Sequence, residues 1–226
     1  MSDLKESWLK LQGEGLYAYT RLVTQSSRWH FAGKSNLTVA KSSGRPIMFC
    51  LWHGQLMPFT AFGVRFERAD SFAAVAVGDE RSTILGKLAT RMGAETFAVD
   101  MGGNPVAAGR SVLLVIKAMK AGRNSFIAPD GPDGPPYVPK RGIAKIARKA
   151  EAAIMPVGLW TRQAFQMRRW DRYLVPFPFA RIHMVFEKPI MVSKKMDRDA
   201  LLEQVTTAMH RARTAAQISA GIEPWM

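Results

Sequence analysis

The feature that most restricts the fold is an alternation. Short apolar runs at 47–52, 72–77, 95–99, 125–128 and 154–160 are separated by stretches with helical spacing at 54–64, 81–92, 106–121 and 142–153. Runs this short and this continuously apolar are strands buried on both faces. Strands joined by helices of that length must run parallel, because only a long crossover returns the chain to the same end of the sheet. A further run at 37–40 reads as another strand, set off from 47–52 by the turn-like Lys41-Ser42-Ser43-Gly44-Arg45-Pro46. Residues 182–192 read as a late strand, interrupted at Pro189 and therefore placed at a sheet edge. Helical patterns open the chain over 1–30 and close it over 196–218, the latter with Leu201, Leu202, Val205, Met209 and Ala212 as its buried stripe. The expectation is an α/β fold, with a mostly parallel central sheet flanked by helices. No boundary divides residues 1–226, and 47% hydrophobic content suffices for one core.

Composition narrows the class. The single cysteine, Cys50, excludes an intramolecular disulfide framework and suits a reducing compartment. The first ten residues carry acids and no apolar centre, unlike a secretory signal, and no run approaches the roughly 18 apolar residues of a spanning helix. A cytoplasmic protein, peripheral on the inner face of the cell membrane, is expected. Thirty-two Lys and Arg stand against 18 Asp and Glu, a net charge of +14, which calls for an anionic partner. Nucleic acid, anionic lipid and an acidic carrier protein all qualify. Arg162, Arg168, Arg169, Arg172 and Arg181 form the densest group, interleaved with aromatics such as Phe165, Trp170, Phe177 and Phe179. That mixture fits a membrane interface as well as single-stranded nucleic acid. No nucleic-acid motif accompanies it, so no nucleic-acid partner is expected. The first helix is a packing helix with some contact to a membrane surface.

The chemistry-bearing residues gather where strands end. Ser125-Phe126-Ile127-Ala128-Pro129-Asp130-Gly131-Pro132-Asp133-Gly134-Pro135-Pro136 takes a buried strand into a turn stiffened by prolines and carrying two aspartates. His53, Asp79, Asp100 and Asp130 each follow a strand, and parallel strand ends share one edge, the usual ligand-binding edge of such a sheet. A His oriented by a carboxylate is a general base for a hydroxyl or amine. There is no Gly-x-Ser-x-Gly elbow, and Cys50, three residues before His53, points to the opposite face. Asp130 and Asp133 lack the accompanying ligands of a metal site, so neither metal nor cofactor is expected.

Four segments, in order, carry a resemblance: Trp52-His53-Gly54; Pro129-Asp130-Gly131-Pro132-x-Gly134-Pro135; Ile154-Met155-Pro156-Val157; and Trp170-Asp171-Arg172 with Pro176-x-Pro178-Phe179. Over roughly residues 30–195 the chain resembles an uncharacterised bacterial branch of the lysophospholipid acyltransferase superfamily. The resemblance implies a glycerol-phosphate acyltransferase-like fold. It also implies transfer of a fatty acyl group from acyl-CoA or acyl-carrier protein to a lipid or glycolipid acceptor. His53 then matches the catalytic base, with Asp79 and Asp100 as further catalytic candidates. Phe126, Pro129, Asp130, Gly131 and Pro132 match the acceptor-binding segment, Lys140 and Arg141 follow it, and Pro156 matches the last motif. The superfamily couples its His to an acid five residues later, where this chain has Pro58, and its phosphate-binding arginine falls on Met101. A carboxylate for His53 must come from elsewhere, with Asp79, Asp100 and Asp130 as candidates. A catalytically inactive lipid-binding protein on the same scaffold is the alternative, and a basic nucleic-acid binder a more distant one.

Overall fold

The computed structural model describes residues 2–67, 72–77, 80–99 and 105–223. In chain order these form α1 (Ser2–Ser26), β1 (Arg28–Ala32), α2 (Lys34–Ser42), β2 (Ile47–Cys50), a 3-10 turn (His53–Gln55), α3 (Leu56–Phe66), β3 (Phe72–Val77), α4 (Glu80–Met92), β4 (Glu95–Val99), α5 (Pro105–Lys120), β5 (Asn124–Ile127), α6 (Gly142–Ala150), β6 (Ala153–Trp160), β7 (Ala164–Gln166), β8 (Leu174–Pro176), β9 (Arg181–Phe186), β10 (Ile190–Met191) and α7 (Arg198–Ser219).

Among the described residues the main sheet runs β1-β9-β6-β2-β5-β3-β4, with β10 paired to β6, and a separate ribbon joins β7 to β8. Every neighbouring pair from β6 to β4 is parallel, while β9 and β10 lie antiparallel to β6. The mostly parallel α/β sheet follows from the alternation in the sequence. Side chains of β2 leave alternately to two cores. Met48 and Cys50 enter a cluster with Val115 and Met119 of α5, Ile143 of α6 and Val205 of α7. Ile47 and Phe49 enter the other, with Ala40 of α2 and Phe59 and Phe62 of α3. Each such large side chain contributes about 1.5–3 kcal/mol on burial. The closing helix is capped by Asp197, whose carboxylate accepts from the Asp199 and Ala200 amides at 3.0 and 2.8 Å.

Three expectations need correction. Residues 37–40 are not a strand but part of α2, which buries Ala40 and leaves Val39 exposed. Leu37 and Ala40 are three apart and share a helix face, a spacing that so short a window cannot tell from a strand. Residues 28–30, assigned to the opening helix, belong to β1, where Trp29 and Phe31 point to Phe62 and Phe66. The late strand is consequently not at an edge: β9 lies between β1 and β6, and the chain breaks around Pro189 before pairing again as β10.

Three neighbouring parallel strands, β5, β2 and β6, have their C-terminal ends on the same side of the sheet. The segments that leave them carry Asp130, His53 and Asp171, and those segments meet.

Candidate active site

Past β2 the chain stays buried through Leu51 and Trp52, and Trp52 meets the Tyr137 ring edge-on at 5.4 Å. The turn at His53–Gln55 then brings the imidazole to the sheet edge. Gln55 anchors this turn by donating from Nε2 to the Leu159 carbonyl of β6 at 2.7 Å. The His53 side chain keeps 18% of its surface exposed.

Asp130 holds the backbone in place. Its Oδ1 accepts from the His53 amide at 2.9 Å and its Oδ2 from the Tyr137 amide at 3.2 Å. One carboxylate thereby ties the turn after β2 to the proline-rich loop. Asp130 is 1% exposed, and burial pushes its carboxyl above the ordinary range, opposed by those two N–H groups.

The carboxylate on the imidazole is Asp171. Its Oδ2 lies 2.7 Å from His53 Nδ1, and its side chain is fully buried. Asp171 is 118 residues from His53, in the loop between β7 and β8. Close approaches fix the loop. Gly54 faces the Asp171 carbonyl so tightly that any side chain there would collide with it. Gly131 lies against the His53 ring in the same way, and a Cβ on Gly134 would sit 2.7 Å from the Trp170 ring. Trp170 packs beside His53 at a centroid distance of 5.3 Å, and Tyr173 flanks it at 6.0 Å. Arg169 Nη2 stands 3.4 Å from the same Asp171 oxygen that meets the imidazole. Burial, and then the Asp171 charge, push the Tyr173 phenol above its ordinary range.

An anionic partner at Nδ1 favours the tautomer with its hydrogen there. Nε2 then keeps its lone pair and can accept a proton, while the buried carboxylate stabilises the imidazolium that results. The arrangement has the geometry of a general base beside an orienting acid, drawn from segments 118 residues apart.

The remaining sequence candidates fall into different places. Phe126 of β5 packs on Phe59 at 5.5 Å and Phe72 at 6.4 Å, inside the core. Pro129 is buried and its carbonyl accepts from the Lys140 amide at 2.8 Å, closing the loop; Pro132, beyond Gly131, is half-buried. Lys140 and Arg141 are exposed, Arg141 with only a loose ion pair to Asp199 at 3.8 Å. Pro156 is buried in β6 opposite Cys50. Cys50 itself is fully buried, which pushes its thiol up and holds it in the unreactive form. Asp79, Asp100 and Met101 lie outside the described residues. Among the described residues no group of three or more His, Cys, Asp or Glu could hold a metal ion, and no helix is long and apolar enough to cross a membrane.

The fold places these residues in known company. No family model matches the sequence. An uncharacterised protein of Rickettsia prowazekii (strain Madrid E) is 27% identical over 191 residues, covering 84% of this chain and 85% of that one. The crystal structure of the 1-acyl-sn-glycerophosphate (LPA) acyltransferase PlsC from Thermotoga maritima superposes with a TM-score of 0.57 over 93% of this chain and 79% of that one, at 17% identity. The fold is acyltransferase-like. On that fold, position 58 bears a proline buried in the first turn of α3, where a missing amide hydrogen costs nothing. The carboxylate that meets His53 is that of Asp171, on the β7–β8 loop.

Proposed function

We propose that this protein transfers a fatty acyl group from a thioester donor, acyl-CoA or acyl-carrier protein, to a hydroxyl or amine of a lipid or glycolipid acceptor. His53 is the general base and Asp171 its orienting acid. The 2.7 Å contact between them carries the reading, together with the likeness to the PlsC fold. His53 Nε2 takes the proton of the acceptor as its oxygen or nitrogen bonds to the thioester carbonyl carbon. The tetrahedral intermediate collapses, the carbon–sulfur bond breaks, and the imidazolium returns the proton to the departing thiolate. The products are an ester or amide and a free thiol. No covalent enzyme intermediate and no cofactor enter.

A binding protein without chemistry was attractive while position 58 left His53 without an acid. The Asp171 carboxylate supplies one, which favours the enzymatic reading. The excess of positive charge, +14, suits anionic lipid, the phosphates of coenzyme A or an acidic carrier protein. We place the site of action at the inner face of the cell membrane, where such donors and acceptors meet.

The test is purified wild-type protein beside His53→Ala, supplied with long-chain acyl-CoA or acyl-carrier protein and a total lipid extract, with products read by mass spectrometry. A new acylated lipid made by wild type alone supports the reading and names the acceptor. Absence of any His53-dependent product from folded protein with both donors refutes it.

A further inference from the structure

The loop that holds Asp171 is carried by the ribbon β7–β8. In it Phe165 pairs with Val175, and the Phe177 amide donates to the Gln163 carbonyl at 2.9 Å. Cross-strand partners share a face, and successive residues alternate. Leu174 and Pro176 therefore share the inward face and are buried. Phe165 and Phe177 share the outward face, 55% and 50% exposed. Two residues on, Phe179 is 74% exposed and has φ 65°, a left-handed conformation unusual for a bulky aromatic. Its amide donates to Ser26 Oγ at 3.0 Å, which ties it to the end of α1.

That tie joins two apolar surfaces. On α1, Leu4, Trp8, Leu11 and Leu22 are 79%, 59%, 60% and 48% exposed. Their spacing, i, i+4, i+7 and i+18, puts them on one helix face. Ser26 continues that face one turn beyond Leu22, to whose carbonyl its hydroxyl donates at 2.7 Å. Helix stripe and ribbon aromatics thus meet at the Ser26–Phe179 contact. Single exposed apolar residues need no explanation, whereas an extended apolar face rimmed by one sign of charge does. Residues 161–181 contain five arginines and a single acid, and that acid is the buried Asp171. Arg162, Arg168 and Arg181 are exposed around the ribbon.

Two classes of anion could meet such a surface. Single-stranded nucleic acid stacks its bases on aromatic faces, and has no use for the aliphatic Leu4, Leu11 and Leu22. A lipid surface uses both kinds of side chain: apolar groups enter the acyl boundary and arginines stay among anionic headgroups. We infer that the outward face of the β7–β8 ribbon and the exposed stripe of α1 form one docking face for an anionic lipid surface. The inference deepens the acyltransferase reading by naming where the acceptor is presented. It also puts the loop that holds Asp171 on the element that docks.

Vesicle flotation tests this without turnover, using phosphatidylcholine alone or mixed in equal parts with phosphatidylglycerol. Wild type should float with the mixed vesicles, and Phe177→Ser/Phe179→Ser should bind them at least about tenfold more weakly, the loss of two partly inserted rings. Arg162→Gln/Arg168→Gln/Arg181→Gln should bind the mixed vesicles more weakly at low salt, lose the preference for phosphatidylglycerol and respond less to added salt. His53→Ala should float as wild type does, which separates docking from chemistry. All three sets lie outside the core, and unchanged circular-dichroism melts of the docking variants confirm that the loss is of binding. Failure of wild type to float, or flotation of the double Phe variant like wild type, overturns the inference. Binding of acyl-carrier protein or an oligonucleotide in place of vesicles, lost in the same variants, also overturns it and assigns the face to that partner.

Discussion

Asp171→Asn isolates the orienting charge with little change of shape. The amide can still occupy the space 2.7 Å from His53 Nδ1, but it offers no negative charge to the imidazolium that the proposed mechanism forms there. Positioned acid–base groups contribute typically 10²–10⁴-fold, so kcat should fall by roughly that factor. This corresponds to about 3–5 kcal/mol of transition-state stabilisation. Asp171 is fully buried and His53 stands before it, so KM for donor and acceptor should move little. Stability should change little too: the variant loses a charge-assisted hydrogen bond but no longer buries a carboxylate, and those terms oppose each other. The assay is initial rate of thiol release against donor and acceptor, beside a thermal melt. A kcat within about threefold of wild type would refute Asp171 as the orienting acid. So would a loss of activity that tracks a large fall in Tm, because Asp171 would then be structural.

Three further outcomes follow from the same geometry. Gly131→Ala drives a methyl group into the His53 ring, so it should lower kcat at least tenfold and stability by about 1–3 kcal/mol, read by rate and denaturant melt. Asp130 has a folded-state pKa raised by burial, so its stabilising effect is complete below the ordinary carboxylate value and is lost as pH rises through the folded value. Asp130→Asn should remove that part of the stability–pH profile, and an unchanged profile would mean the carboxyl is not desolvated. His183 behaves oppositely. Burial, and then His30 stacked on it at 4.7 Å and Arg181, hold its pKa below the usual imidazole value. Its contribution, including the 2.7 Å hydrogen bond to Ser219 Oγ, is present above that value and lost as pH falls through the folded one. His183→Gln should flatten the decline in denaturant midpoint on mild acidification, and an equally steep decline would assign it to other groups.

What the sequence could show was whatever is written locally. The strands at 47–50, 72–77 and 153–160 are continuous apolar runs, those at 95–99 and 124–127 end in one, and all appear within a residue or two of where the pattern puts them; so do the helices between them, except that α6 ends at Ala150, three residues early. The sheet edge was inferable as well, since parallel strands must present their C-terminal ends together, and His53 and Asp130 do meet there. The element at 28–32 was not legible: Arg-Trp-His-Phe-Ala alternates, but it directly follows α1 with no breaker, so the helical pattern runs into its first residues. Pro189 argued for an edge position of the late strand, and β1 takes that edge in the structure. The identity of the acid was hidden for a different reason. Asp171 does not directly follow a strand of the main sheet but sits between β7 and β8, three-residue strands too short to announce themselves by periodicity. The Trp170-Asp171-Arg172 triplet was visible, but nothing in sequence separation suggests that it folds back on residue 53.

That separation has a physical consequence. An acid five residues after a histidine, on the helix that the histidine opens, would be placed by local backbone geometry. Here the acid reaches the imidazole from the β7–β8 ribbon, whose placement depends on contacts distributed over the chain: Gly54 under the Asp171 carbonyl, Trp170 between His53 and Gly134, and the Tyr19 hydroxyl donating to the Pro176 carbonyl at 2.9 Å. Competence of the base is therefore coupled to packing of the ribbon on α1 and on the proline-rich loop. Anything that orders the ribbon, including a surface pressed against its aromatic face, favours the oriented imidazole over a free one by whatever differential free energy it contributes. If the ribbon docks as inferred and His53 is the base as proposed, a charge pair assembled from distant segments links docking to orientation of the imidazole, which a locally encoded pair would not do.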